Sequence, residues 1–426
     1  MADMTRIELS PGVHLTAVHT EKFKSCVLGA TLLSPLGQET ASLNALIPSV
    51  LRRGTQMHPD MESLSAALDE LYGGSVEPMV RTRGETQCVG FLGSFLDDAY
   101  TLDGASILEP AAGLLGELLL RPYTVDGAFC PDYTRGERDN LVDRIRAQVN
   151  EKRSYALSRL KQEMCAGEPF GVDRLGDETH ASAITAQSLW DQYRSLLTSA
   201  PLELYYCGSA QPQRVAGALS AALSDLPRSA ARAVPPRPVR QEAPAQPRYV
   251  EEALDVTQGK LTMGFRAGGD VWSEQYPALM LANAIYGGTT TSRLFLNVRE
   301  KLSLCYYASS QLEKFKGVML VSSGVEFDQF APARDEILAQ LAACKAGDFE
   351  DWELEGARRS VVGALKSAMD AQGRLEDFWL GQAVAGLTEG PDALADRVEQ
   401  VTREQVVRAL NTLELDTVYF LKGKEA

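Results

Sequence analysis

The sequence predicts an α+β protein of two similar domains, each an antiparallel-rich sheet packed with helices. Apolar segments of strand length alternate with segments whose apolar residues recur at helical spacing. A proline-rich stretch divides the chain into two parts of comparable size, and the second part repeats the order of the first. Because 426 residues are too many for one ordinary core, we expect two domains related by pseudo-symmetry.

Composition and charge exclude several classes of partner. With 45% hydrophobic and 23% charged residues, the chain has the composition of a soluble globular protein. A formal net charge of −15 would repel nucleic acid and anionic membranes. No apolar run approaches the roughly 18 residues of a membrane helix, and the first residues lack a signal peptide's apolar core. We therefore expect a cytoplasmic protein with neither a nucleic-acid nor a membrane partner.

The first part, residues 1–225, contains the elements of one domain. Two apolar segments within residues 13–34 indicate strands, and residues 41–51 indicate a helix that ends at Arg52-Arg-Gly-Thr. A second helix follows Asp60, and residues 76–82 and 87–92 indicate a hairpin. Residues 133–165 are predicted to form one long charged helix, because apolar residues recur on about one of its faces.

Residues 226–248 form the predicted linker, since six prolines fall there among arginines and alanines with almost no large apolar residues. The second domain is then residues 249–426. Its elements match the first part at the level of pattern: Gly288-Thr289 ends a helix as Gly54-Thr55 does, and Gly356 and Arg358 correspond to Gly136 and Arg138. The alternative is two unrelated α+β domains.

The stretch from Gly287 to Tyr307 is the predicted binding site. It is predicted to form a helix, a tight turn, a helix and a strand. Gly287 and Gly288 permit positive φ and a close approach to another chain. Arg293 and Tyr306 stand just after the turn and at the entry to the strand, where both can donate hydrogen bonds.

Three motifs carry a resemblance to a known family. They are Arg52-Arg-Gly-Thr, Asp69-Glu-Leu-Tyr-Gly-Gly, and Ser292-Arg-Leu-Phe-x-x-Val-Arg-Glu-Lys-x-x-Leu-x-Tyr306. In this order, over nearly the whole chain, they resemble the pitrilysin/insulinase zinc peptidases, which have the fold of mitochondrial processing peptidase. The resemblance is strongest to the bacterial two-chain branch, in which one subunit carries zinc and its partner does not.

The resemblance also implies that this chain lacks the zinc site. Zinc-bearing members hold an inverted H-x-x-E-H motif on the first helix and a further glutamate on a later helix. At these positions the chain has Ala45, Pro48 and Ser49, and Arg144 at the third ligand. A guanidinium cannot ligate a cation and would repel it. We therefore expect no metal, no cofactor and no catalytic residue.

What remains is the second-half motif, to which the resemblance gives a role. In the family, its arginine and tyrosine hold the backbone of a substrate peptide beside the partner's zinc, and by position these are Arg293 and Tyr306. Tyr307 is a second candidate because the tyrosines are adjacent, and Gly287 and Gly288 shape the site. The structural alternative is that Arg293 pairs with a helix end and Tyr306 anchors a strand.

Other enzyme classes find no support in the sequence. It has no G-x-x-x-x-G-K-[ST] loop and no G-x-S-x-G elbow, and His14, His19, His58 and His180 have no partner spacing typical of chemistry. Seven scattered cysteines without a C-x-x-C pair indicate buried, reduced thiols. The leading hypothesis is a catalytically silent homologue that binds peptide and pairs with a zinc-bearing subunit. A stand-alone peptide-binding or scaffolding homodimer, using β-augmentation, and an independent enzyme of unknown chemistry are the alternatives.

Overall fold

A computed structural model describes residues 3–102, 104–228 and 237–424, and it divides the chain into two compact units that each combine three segments. Unit 1 consists of Met1–Arg146, Val172–Pro236 and Gln372–Gly386. Unit 2 consists of Ala147–Gly171, Arg237–Ala371 and Leu387–Ala426. Within the described ranges, no helix combines the length and the apolar character needed to cross a bilayer.

The strands of both units alternate with helices along the chain. The strands are β1 (Asp3–Ser10), β2 (Val13–His19), β3 (Ser25–Pro35), β4 (Ser75–Arg83), β5 (Thr86–Leu96), β6 (Thr124–Val125), β7 (Ala128–Phe129), β8 (Leu202–Gly208), β9 (Arg248–Leu254), β10 (Gly259–Arg266), β11 (Tyr307–Glu313), β12 (Val318–Val325) and β13 (Glu414–Gly423).

The α-helices are α1 (Gln38–Leu51), α2 (Met61–Glu70), α3 (Leu108–Leu120), α4 (Pro131–Ala147), α5 (Lys152–Met164), α6 (Glu178–Ser182), α7 (Ala186–Ser199), α8 (Pro212–Ala222), α9 (Tyr276–Asn283), α10 (Phe330–Lys345), α11 (Asp351–Ala368), α12 (Gln372–Ala385), α13 (Pro391–Glu399) and α14 (Arg403–Asn411). Short 3₁₀ turns are Asp98–Tyr100, Gln148–Asn150, Pro169–Gly171 and Phe327–Gln329, and π-helical segments are Ala284–Gly288 and Leu294–Lys301.

The sheet of unit 1 is covered on both faces. Among the residues that the structure describes, its strands have the order β1-β2-β8-β3-β5-β4, with only the β2–β8 pair parallel. Helices α1, α3, α7 and α8 contribute to one large core on this sheet. Leu380 of α12 packs with Leu33, Met79 and Cys88 in a second cluster. Because both faces are covered, β3 is a continuous apolar run rather than an alternating one.

Unit 2 repeats this arrangement with one strand fewer. Its strands, all within residues 248–423, have the order β11-β12-β10-β13-β9, and here the parallel pair is β13–β9. One core contains residues of α9, α10, α11 and α14. A smaller core joins Ala156, Leu160 and Met164 of α5 to Leu320 and Tyr419 of the sheet. The predicted α+β fold class, with an antiparallel-rich sheet in each domain, is confirmed.

The units are not the continuous halves that the sequence suggested. The predicted long helix over residues 133–165 is wrong, because it stops at Ala147 and resumes at Lys152 as α5, which packs in unit 2. Glu151, at φ −86° and ψ 77°, lies outside the helical region and separates the two helices. In the same way α12 lies beyond residue 249 in the sequence but packs in unit 1. Of the predicted linker, residues 229–236 lie outside the described residues, and β9 begins at Arg248.

A buried charge cluster fixes the segment after α5 to the sheet of unit 2. The Glu168 carboxylate accepts from Arg266 Nη2 at 2.7 Å and lies 2.5 Å from Lys316 Nζ, and Arg266 Nε donates to Asp416 at 2.8 Å. Burial by itself would raise the pKa of Glu168, but the hydrogen bonds from Arg266 and Lys316 outweigh it and hold this pKa below its ordinary value. Breaking such a cluster leaves charges buried without a partner.

We expect Glu168→Gln to lower the free energy of unfolding by about 3 kcal/mol at neutral pH, because Lys316 and Arg266 would lose a buried counter-charge. A carboxyl group whose pKa is lowered by folding stabilises the folded protein at pH values above its unfolded-state pKa of about 4.3. This stabilisation is lost as the pH falls. The difference between variant and wild type in urea unfolding should therefore shrink below about pH 4. Glu163→Gln, which removes a half-exposed pair with Arg159, is the control and should change stability by less than about 0.5 kcal/mol. Equal effects of the two variants would contradict this account.

Candidate functional site

Helix α1 carries the positions that the resemblance assigns to zinc, and none of them offers a ligand. Ala45 and Pro48 are buried and Ser49 is partly exposed. Pro48 lies inside the helix and lacks a backbone N–H, so the carbonyl of Asn44 loses its intrahelical donor. The chemistry of these side chains does not fit a zinc ion, which requires imidazole, thiolate or carboxylate donors.

A buried amide network holds this part of α1 in place. Asn44 Nδ2 donates to Gln87 Oε1 at 2.9 Å, and Gln192 Nε2 donates to Asn44 Oδ1 at 2.7 Å. Gln87 Nε2 in turn donates to the Ala41 carbonyl at 2.9 Å. This network could not be predicted from the sequence, because amides that are distant in sequence give no periodic signal; the one sequence feature related to it is the position of Asn44 among the apolar residues of α1.

The third predicted ligand position also fails to form a metal site. Arg144 lies in the last turn of α4, where its side chain is exposed. Across residues 3–102, 104–228 and 237–424, no group of three or more histidine, cysteine or acidic side chains is placed to hold a metal ion. The zinc positions that the resemblance assigns thus lie on α1 and α4, and among these described residues none is a histidine, a cysteine or a carboxylate.

The second-half motif has the predicted order of elements, but its helical parts are π-helical. Ala284–Gly288 and Leu294–Lys301 flank the turn before β11, and π-helical turns are often found at functional sites. Gly287 and Gly288 do not use the positive φ that glycine permits. Gly287 is needed instead because a Cβ there would lie 2.6 Å from Ser310 N, so the close approach is to the chain's own β11. Gly288 is exposed, and a Cβ there would lie 2.6 Å from Asn283 Nδ2.

Arg293 is held by a carboxylate of its own unit. Its Nε and Nη2 donate to Glu353 Oε1 and Oε2 at 2.6 and 2.9 Å, and its side chain is only 16% exposed. Glu353 also accepts from the N–H of Glu350 at 2.7 Å in a capping box at the start of α11. Arg293 thus pairs with a helix end, as the structural alternative predicted.

The two tyrosines differ in accessibility. Tyr306 is 57% exposed, and its hydroxyl donates to the Glu326 carboxylate, which raises the pKa of Tyr306 above its ordinary value. Its N–H donates to the Gly324 carbonyl at 2.8 Å. Tyr307 is partly buried against Arg153, whose Cζ lies 4.1 Å from the ring centroid, and burial raises the pKa of Tyr307. Tyr306 is therefore the phenol that a ligand can reach.

Arg299 was not selected from the sequence. Its side chain is 40% exposed, with Nη1 3.2 Å from Glu300 Oε1 and Cζ 4.7 Å from the centroid of the Phe295 ring. No pattern in the sequence distinguishes it, because the residue after a core position such as Val298 is turned only part of the way from the core and can be buried or exposed. Of the motif's two arginines, Arg299 is the more exposed.

Fold and site together define a metallopeptidase-type chain of two units whose metal-binding positions carry residues that cannot bind metal. The chain belongs to the M16 peptidase family, which confirms the resemblance seen in its motifs. It is 34% identical over 414 residues, 97% of this chain and 96% of the relative, to the "Probable inactive metalloprotease YmfF" of Bacillus subtilis (strain 168). The family model described as "Peptidase M16 inactive domain" matches residues 183–361.

Another relative and two crystal structures are also similar. The "Uncharacterized zinc protease YmxG" of Bacillus subtilis (strain 168) is 24% identical over 155 residues, 36% of this chain and 38% of that protein. A conserved protein from Enterococcus faecalis V583 has a TM-score of 0.91 and 25% identity, with both chains fully covered. A peptidase M16 inactive domain from Pseudomonas fluorescens has a TM-score of 0.81 at 16% identity, covering 99% of this chain and 98% of that one, and supports the fold.

We expect Gly287→Ala to destabilise the protein by about 1–3 kcal/mol, because the new methyl group would overlap the backbone of β11. The matched control is Gly113→Ala on α3, where a Cβ meets nothing within 4 Å and helix propensity should add up to about 1 kcal/mol of stability. Thermal unfolding followed by circular dichroism measures both. A stable Gly287→Ala protein would show that this glycine is not required for packing.

Proposed function

We propose that the chain is a catalytically silent, zinc-free M16 homologue that binds a peptide through its second-half motif and pairs with a zinc-bearing homologous subunit. One observation carries the proposal. The positions of the zinc site hold Ala45, Pro48, Ser49 and Arg144, whereas Tyr306 of the second-half motif remains exposed. A chain whose zinc positions hold no ligand, but which keeps an accessible hydrogen-bonding side chain, is suited to binding rather than to hydrolysis.

The motif can donate hydrogen bonds to a peptide backbone. The Tyr306 side chain is exposed, and its hydroxyl, which donates to the Glu326 carboxylate, can at the same time accept a hydrogen bond from a peptide N–H. Arg299 supplies a half-exposed guanidinium with N–H donors. Arg293, which is committed to Glu353, acts as a positioning residue that ties the start of the π-helical segment to α11.

The remaining residues of the motif support this surface. Gly287 and Gly288 let the turn pack closely on β11 and Asn283, and Tyr307 stacks on Arg153 behind the exposed phenol. Each of these contacts lies within unit 2. In this proposal Tyr306 and Arg299 contact the peptide. The glycines, Arg293 and Tyr307 hold the motif in its conformation.

The partner in this proposal is a homologous chain with an intact zinc motif. Support comes from the relatives: one bacterium encodes both a protein named as a probable inactive metalloprotease and one named as a zinc protease, and both are similar to this chain. A cytoplasmic location fits seven unpaired cysteines, six of them buried. The alternative is a stand-alone peptide-binding or scaffolding homodimer. Copurification from the native host distinguishes the two hypotheses, because a zinc-bearing homologue should copurify with this chain only if the chain pairs with such a subunit.

We expect Tyr306→Phe to weaken peptide binding about fivefold, since one neutral hydrogen bond is lost, and Arg299→Ala about tenfold or more, since a charged donor is lost. The measurement is fluorescence anisotropy with a fluorescein-labelled unstructured peptide rich in lysine, which suits a chain of net charge −15. Tyr249→Phe is the control, because Tyr249 is equally exposed in the same unit but lies on β9. If all three variants bind like wild type, the motif is not the binding surface.

A further inference from the structure

Lys260 of β10 lies level with the first turn of α5. The helix runs along the strand in register: a Cβ on Gly264 would lie 3.6 Å from Leu160 Cδ1, and the Thr262 hydroxyl bonds to the Ala156 carbonyl at 3.4 Å. Lys260 is two residues further along the same face of β10, so it reaches the N-terminal end of the helix. Helix and strand both belong to unit 2.

Three cations, here called the cationic cluster, meet at this end of α5: Lys152, Arg153 and Lys260. Among the described residues their side chains donate to neutral acceptors, which are the Val149 carbonyl, the Ser309 hydroxyl and the Gln258 side-chain oxygen. Burial lowers the pKa of Lys260, and no carboxylate in the described part of the chain offsets this effect. In a chain of net charge −15, a group of cations without carboxylate partners is suited to an anionic ligand.

Two hydroxyl groups beneath this end of α5 lack a partner. Ser322 is 3% exposed, and it faces α5 because Leu320, on the same face of β12, packs against that helix. The Tyr307 hydroxyl lies next to Ser322, and neither group makes a well-formed hydrogen bond to any residue that the structure describes. The Tyr307 ring lies against Arg153, whose Cζ is 4.1 Å from the ring centroid. Buried polar groups without a partner commonly mark the place of a bound ion or water.

Gly324 connects Lys260 to Tyr307. It is the β12 partner of both residues, and a Cβ on it would lie 2.5 Å from Tyr307 Cε1 and 2.8 Å from Gln258 Oε1. The amide that accepts from Lys260 therefore packs beside the ring that carries Arg153. Lys260 and Arg153 thus flank the same position on the sheet.

The backbone of α5 adds positive potential at the same place. The helix has 13 residues, its first turn contains no acidic residue, and its N-cap residue Glu151 forms no side-chain capping bond. The first N–H groups of a helix have no intrahelical acceptor, and together with the helix dipole they favour a negatively charged group. Because Glu151 is exposed and does not cap the helix, these N–H groups remain available to a ligand.

We propose that the cationic cluster binds the C-terminal carboxylate of the peptide that Tyr306 contacts. The inference rests on the proposed function, and the two sites adjoin because Tyr306 directly precedes Tyr307. A carboxylate accepts charge-assisted hydrogen bonds from Arg153 and Lys260 and further bonds from the helix N–H groups, and capture of a chain end in this way recurs in peptide recognition. A single terminal carboxylate on a basic peptide also avoids the repulsion that a net charge of −15 exerts on acidic peptides.

The test compares two forms of one lysine-rich, unstructured peptide labelled with fluorescein at its N-terminus, one with a free C-terminal carboxylate and one with a C-terminal amide. Fluorescence anisotropy with the full chain measures both affinities. Wild type should bind the free acid about tenfold more tightly than the amide, because the amide loses the charge-assisted hydrogen bonds. Long-range repulsion by the chain's negative charge would act in the opposite direction.

Variants locate this preference. Lys260→Met and Arg153→Gln should each reduce it to about twofold by weakening the free acid alone, because each removes a charged donor. Glu151→Gln should strengthen the free acid about twofold, because it removes a like charge near the helix end. Lys366→Met, in the last turn of α11, is the matched control and should leave both affinities unchanged. Unfolding temperatures from circular dichroism show whether each variant folds like wild type.

The outcomes separate this site from the proposed function. Equal affinities of wild type for the two peptides, or a preference that survives both Lys260→Met and Arg153→Gln, would overturn the carboxylate site and leave the peptide-binding proposal standing. If wild type binds neither peptide, the proposed function fails and the carboxylate site fails with it.

Discussion

The structure depends on one constraint: each sheet has two apolar faces, and both must be removed from water. In unit 1 the second face is covered by α12, through Leu380, and in unit 2 by α5, through Leu160 and Met164. These helices come from parts of the chain that sequence order assigns to the other domain. Burying both faces, as parallel-sheet proteins also do, explains why β3 and β12 are buried along nearly their whole length. The buried Glu168 cluster fixes one of these exchanged segments with charge as well as with apolar contact.

Contacts within unit 2 also shape the stretch from Gly287 to Tyr307, which carries the second-half motif. Its conformation is determined by contacts within unit 2: Gly287 against β11, Arg293 against the capping box of α11, and Tyr307 against Arg153 of the exchanged segment. Tyr306 itself lies in the irregular stretch before β11, where its N–H donates to the Gly324 carbonyl, so the proposed binding residue is tied to the sheet at its backbone. A preformed surface binds with a smaller entropic cost than one that must be ordered.

Much of the fold could be predicted from the sequence, because strand and helix periodicities are local signals. The strands around residues 13–34, the helix ending at Arg52 and the hairpin at 76–92 all formed where the pattern placed them. The helix break at Glu151 could not be predicted, because apolar residues recur at similar spacing in the helices on either side of it. The two helices differ in the elements that they pack against, which the sequence does not show. The ion pair between Arg293 and Glu353 could not be predicted either, since the two residues are 60 positions apart in the sequence.

The central claim is that this M16 chain does not itself perform zinc chemistry. It is tested most directly by adding Zn²⁺ and an unstructured peptide to the purified chain, and measuring bound zinc by mass spectrometry together with peptide cleavage. The account predicts far less than one zinc per chain and intact peptide, because Ala45, Pro48, Ser49 and Arg144 supply no ligand. About one tightly bound zinc per chain, with zinc-dependent hydrolysis that disappears in Arg144→Ala, would contradict it.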